Sequence, residues 1–82
     1  MKSEMETRQA IRDWIIKKNG KISDRELNDQ SPIIEQRIIT SVQILDLILF
    51  LEDLSGKQID VKTLNKGVYR NIDAIYQNFF RI

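Results

Sequence analysis

Between Ser41 and Leu54 the chain reads SVQILDLILFLEDL. Nine of these fourteen residues are Val, Ile, Leu or Phe, placed at helical rather than alternating spacing. A helix that is apolar on nearly every side is buried by its neighbours rather than laid on a surface. In a chain of 82 residues it is the most hydrophobic element. Its longest unbroken apolar run, Leu47 to Leu51, is far short of the ~20 residues that span a bilayer.

The flanking sequence supplies the neighbours of this helix. No run alternates with period two over strand length, so the pattern predicts an all-α fold in a single domain, residues 1–82. A first helix is expected over Ser3 to Lys18. Ala10, Ile11, Trp14 and Ile15 share its inner face, while Arg8, Arg12 and Lys17 fall largely outside. Lys17 and Lys18 suit the negative end of its dipole, and Gly20 can close it. Lys21 to Thr40 is too long to be structureless. Ser23-Asp24-Arg25-Glu26 matches a capping box and predicts one helical turn near Asp24 to Asn28. Leu27, Ile33, Ile34, Ile38 and Ile39 can pin this connection to the core.

The central helix is expected from Ser41 to Leu54. Thr40 and Gln43 would form its capping box, and Gly56 its terminator. Projected at 100° per residue, its polar sector contains Gln43, Asp46 and Asp53. Phe50 lies in that sector, with Val42 and Leu49 at its edge. Leu45, Leu47, Ile48, Leu51 and Leu54 are expected to look inward. Phe50 is therefore either covered by a neighbouring loop or offered to a partner. One short turn is expected over Thr63 to Lys66. A last helix is expected over Ile72 to Phe80, capped by Asn71, with Ile72, Ile75, Tyr76 and Phe79 in a buried stripe.

Composition excludes several chemistries. The chain has no cysteine and no histidine, which removes disulfides, thiolate nucleophiles, Ser-His catalysis and His-based metal sites. A domain of this size buries only ~60–70% of the surface its unfolded chain exposes, leaving little room for a substrate cavity. Glu52 and Asp53 are adjacent and point apart on a helix, a poor acid–base pair. No catalytic residue and no metal site are expected. The charged N-terminus lacks a signal-peptide centre, so the expectation is a cytoplasmic monomer with no membrane span.

Net charge is +1, unevenly placed. Residues 24–60 carry eight acids against three bases, a net of −5. The middle either favours basic partners or is incidentally acidic. Lys and Arg are spread over different elements, not gathered in the stripe that nucleic acid requires. Ser41, at the mouth of the oily helix, reads from its position as an N-cap or as an attachment point.

SPIIEQRIITSVQILDLILFLEDLSGKQI resembles the centre of an acyl carrier protein. In that family a loop leads to Gly-x-x-Asp-Ser-Leu, followed by x-x-Leu-x-Leu-Ile-x-x-Leu-Glu and Phe-Gly-x-x-Ile. The opening Ser-Pro-Ile-Ile-Glu is most similar to specialised acyl, aminoacyl and D-alanyl carriers. YRNIDAIYQNF resembles the family's Phe-x-Ser/Thr-Val-x-x-Ile segment. The resemblance covers about residues 27 to 80. It implies a small four-helix bundle, with a long loop between the first two helices and a short third helix.

The resemblance also implies function. Ser41 matches the serine that carries a covalent 4′-phosphopantetheine arm, whose thiol holds acyl or aminoacyl cargo as a thioester. Implied partners are a phosphopantetheinyl transferase and the enzymes that load and discharge the arm, as in fatty-acid or polyketide biosynthesis. Partner contacts map to Arg37, Thr40, Val42, Gln43, Asp46, Leu49, Phe50 and Asp53. Two positions depart from the pattern. Thr40 replaces the aspartate expected to help the transferase and its metal ion engage. Arg37 replaces a glycine and, if that position needs a positive φ, costs about 1 kcal/mol or more. The alternative is a carrier-like interaction module that has lost the modification.

Overall fold

The computed structural model describes residues 3–59 and 67–80. Within them lie three α-helices and no strand: α1 (Glu4–Asn19), α2 (Gln43–Ser55) and α3 (Ile72–Phe79). The all-α expectation holds. The turn expected over Thr63 to Lys66, which would supply a fourth helix, lies outside the described residues. None of the described helices is long and apolar enough to cross a membrane.

Local chemistry fixes the helix ends. The Ser3 Oγ accepts from the Glu6 N–H at 3.2 Å, with Glu4 and Glu6 on the positive first turn and Lys17 and Lys18 on the last. Gly20, at φ 77°, donates its N–H to the Ile16 carbonyl and ends α1. Gly56, at φ 71°, does the same for α2 through Glu52. The Asn71 Oδ1 accepts from the Ala74 N–H at 2.7 Å, which starts α3. These left-handed closures need the freedom of glycine, and the caps satisfy donors that a helix start leaves orphaned.

Ile11 and Ile15 of α1, Leu47 and Leu51 of α2, and Ile72 and Ile75 of α3 form the buried centre. The connection between α1 and α2 adds Leu27, Ile33, Ile38 and Ile39, four of the ten core-cluster residues among those described. Ile34 packs against it from the edge. Two backbone bonds tie the connection to the start of α3: Ile33 N–H to Arg70 carbonyl at 2.9 Å, and Asp73 N–H to Asp29 carbonyl at 3.0 Å. The helix expected near Asp24 to Asn28 is a single turn over residues 24–26. The Glu26 carboxylate accepts from the Ser23 N–H as the capping box requires. Helix growth then stops because the Asn28 Oδ1 takes the Gln30 N–H in an Asx-type turn.

Arg8 and Arg12 do not stand apart from the packed face. Arg8 donates to Asp29 and Asp73 at 2.8 Å and to Glu4 at 2.9 Å, and its guanidinium lies 4.8 Å from the centre of the Tyr76 ring. Arg12 takes the second oxygen of Asp29, while its own Nε is buried without a hydrogen-bond partner among the described residues. Burial works against the Arg8 charge. Its hydrogen bonds to Asp73, Asp29 and Glu4 outweigh that penalty, so the group is held above its ordinary value. One side chain thereby ties α1 to the connection and to α3.

Candidate functional site

The approach to Ser41 is a stack of tight backbone bonds. The Gln36 N–H donates to the Pro32 carbonyl at 3.0 Å and the Arg37 N–H to the Ile34 carbonyl at 3.0 Å. The Ile39 N–H reaches back to the Ile33 carbonyl at 2.9 Å and closes the stretch. Ile38 and Ile39 are buried, so the backbone must reverse sharply while both side chains stay in the core. Arg37 takes that reversal at φ 56°, the single positive φ at a non-glycine position among the described residues. Its backbone therefore adopts the conformation that a glycine takes freely. Asn19, the last residue of α1, donates its Nδ2–H to the Ile38 carbonyl at 2.8 Å. Its Oδ1 accepts the N–H groups of Lys21 and Ile22. The lead-in to Ser41 is thus tied to the end of α1.

Thr40 and Ser41 follow, both exposed. The helix was expected to begin at Ser41 under a Thr40 cap, but α2 begins at Gln43. Val42 holds the cap position with helical angles and no side-chain cap bond. Half of the expected capping box forms: the Gln43 Oε1 accepts from the Thr40 N–H at 3.0 Å. The Gln43 N–H meets the Thr40 carbonyl instead of its hydroxyl, because residues 40–43 wind as a tighter turn. The Ile44 N–H reaches the Ser41 carbonyl only at 3.4 Å.

On α2, the expected inward arc was too wide. Leu47, Ile48 and Leu51 are buried and Leu54 packs at the edge, but Leu45 is 63% exposed. It stands three residues after Val42 and four before Leu49, which puts it on their strip of the helix. Val42 is 81% and Leu49 63% exposed, so an apolar row runs down the outer face from Ser41. Phe50 is covered, by α1 rather than by a loop: its ring stacks on Trp14 at 5.4 Å between centroids and 19° between planes. Asp46 bonds to the Lys18 Nζ at 2.9 Å, and that ammonium lies 5.7 Å from the Trp14 ring centre. Glu52 accepts the Ile59 N–H at 2.7 Å. Asp53 is exposed.

Of the residues singled out from the sequence, Arg37, Thr40, Ser41, Val42, Asp46, Leu49 and Asp53 are exposed, Gln43 is half-buried and folded back, and Phe50 is packed on Trp14. Sequence reasoning missed Leu45 and Lys18. Leu45 could have been found from its spacing to Val42 and Leu49. Lys18 gives no local signal, since its partner sits on another helix.

Chemically, the site is a pair of adjacent exposed alcohols, Thr40 and Ser41. The chain has no histidine, so no imidazole stands ready to take the Ser41 proton. Among the described residues no cluster of three or more His, Cys, Asp or Glu could hold a metal ion. No protein-family model matches the chain, and no curated protein matches it in sequence.

Proposed function

We propose that this chain is an acyl or aminoacyl carrier of the four-helix-bundle kind. Ser41 carries a 4′-phosphopantetheine arm, and the chain itself catalyses nothing. The observation that carries this reading is the setting of Ser41. It stands exposed at the turn into α2, after a lead-in held by the core and at the head of the Val42, Leu45 and Leu49 row. The left-handed backbone at Arg37, where the family has glycine, supports the same reading.

The residues present suit the group. An exposed hydroxyl leaves the arm free to swing. A phosphodiester there lies beside the first turn of α2, whose dipole favours an anion by ~0.3–1 kcal/mol. Arg37, exposed four residues before, adds a cation to that neighbourhood. Attachment needs an outside catalyst. A transferase removes the Ser41 proton, the hydroxyl oxygen bonds to the phosphorus of coenzyme A that bears the pantetheine, and the pyrophosphate bond breaks with loss of the nucleotide. The attached thiol then holds cargo as a thioester, and the partner enzymes supply the acyl chemistry.

Thr40 favours a second reading, a carrier-like interaction module that is never modified, because it replaces the aspartate that would help the transferase. One experiment separates them. Co-expression with a broad-specificity phosphopantetheinyl transferase is expected to add the mass of one arm, and Ser41→Ala to abolish the gain. Unmodified protein with several transferases, and from its own cell, would leave the module reading.

A further inference from the structure

The side chains on the exposed flank of α2 are mostly engaged within the chain. Gln43 is turned back onto the Thr40 N–H. Glu52 is held by the Ile59 N–H. Asp46, one turn below Ser41, is paired with Lys18 at 2.9 Å. The pairing is a held contact: the Lys18 ammonium lies over Trp14, and Trp14 is fixed by its stack on Phe50. With Arg37 exposed at one end, Asp53 at the other and Asp46 paired with Lys18 between them, the charge left over on this flank is that of Glu52 alone. Its exposed substance is the row Val42, Leu45 and Leu49.

We propose that Lys18 determines partner choice: it occupies Asp46 in place of a partner's cation. Ser41 is thereby delivered, through the apolar row, to enzymes whose contact surface is apolar and poor in Lys and Arg. This inference rests on the carrier reading. An enzyme that docks through basic residues must displace Lys18 from Asp46 and lift it from the Trp14 ring before gaining a contact. It also meets Arg37 as a like charge. A neutral, apolar surface meets neither obstacle. Charge on the rim of an interface acts mainly on association rate and its salt dependence, so those are the quantities Lys18 controls.

The test uses the full chain, coenzyme A and a broad-specificity phosphopantetheinyl transferase with a basic docking surface. Arm transfer is followed by intact mass at about 50 and about 400 mM salt, where screening differs severalfold. Lys18→Met and Lys18→Gln both free Asp46. Each is expected to raise the low-salt rate about threefold over the parent chain and to lose the gain at high salt. Asp46→Asn is expected to leave the parent rate within about twofold and to cancel the gain in either Lys18 variant. A urea unfolding midpoint unchanged from the parent separates this from a loosened α1–α2 contact. Lys18 variants no faster than the parent, or Asp46→Asn slowing parent and variant alike, would overturn the inference while the carrier reading stands. No transfer to any of the proteins would remove both.

Discussion

Arg37 offers the sharpest test of the backbone that delivers Ser41. A left-handed conformation costs an L-residue roughly 1–2 kcal/mol, because Cβ crowds the neighbouring carbonyl oxygen. Glycine escapes that cost but brings an unfolded chain with roughly 0.5–1 kcal/mol more entropy to lose. The difference favours glycine at φ 56° by about 0.5–1 kcal/mol. Three bonds fix the geometry, Gln36 to Pro32, Arg37 to Ile34 and Ile39 to Ile33, so the backbone has little room to relax instead. Arg37→Gly is therefore expected to raise the melting temperature by about 2–8 °C, using ~4–8 °C per kcal/mol for a domain of this size. Removing the exposed charge is a separate effect, which Arg37→Ala isolates because alanine keeps the Cβ. Alanine should stay within about 0.5 kcal/mol of the parent. The assay is reversible thermal and urea unfolding followed by helix signal. Arg37→Gly no more stable than Arg37→Ala would refute the strain argument.

Two further predictions concern the charge network. Arg8→Gln leaves Asp29 and Asp73 without their shared donor and should cost about 2 kcal/mol by urea unfolding; a loss under about 0.5 kcal/mol would mean the connection is held by its apolar residues alone. Asp73 is held below the usual carboxylate range, first by its hydrogen bond to Arg8. Its contribution is thus complete above the unfolded value of about 3.9 and is lost as pH falls through the lower folded value. Asp73→Asn should flatten the acid limb of the stability profile below about pH 4, and an unchanged limb would assign acid sensitivity to other groups.

What could be read in advance followed from how local each cause is. The caps and stops at Asn71, Gly20 and Gly56 depend on neighbours within one turn, and each appears where expected. The apolar residues of the long connection announced that it would be packed, since five isoleucines and leucines in one stretch have nowhere else to go. The start of α2 was misplaced because Thr-x-x-Gln admits two windings and the tighter one formed. Leu45 was misassigned because a helix with so many apolar residues does not declare how wide its buried arc is. The Arg8 network joins residues 21 and 65 positions apart, and no pattern along the chain encodes that meeting. The cover over Phe50 has the same origin: Trp14 belongs to another helix. The exposure of Ser41 was legible, but only through its place in a longer motif.

Because a stretch without a helix supplies four of the ten central side chains among the described residues, lengthening it is not the mild event that insertion into a surface loop usually is. An added residue between Ile33 and Ile39 would shift two isoleucines out of register with their sites. The ladder of backbone bonds over the same span would break with them. Variation in descendants of this sequence should therefore collect on the outward side chains of residues 35–37 and in the turn at 24–26, with the length from Ile33 to Ile39 preserved. The part of the chain that looks most like a tether is, in its tolerance of change, a piece of the interior.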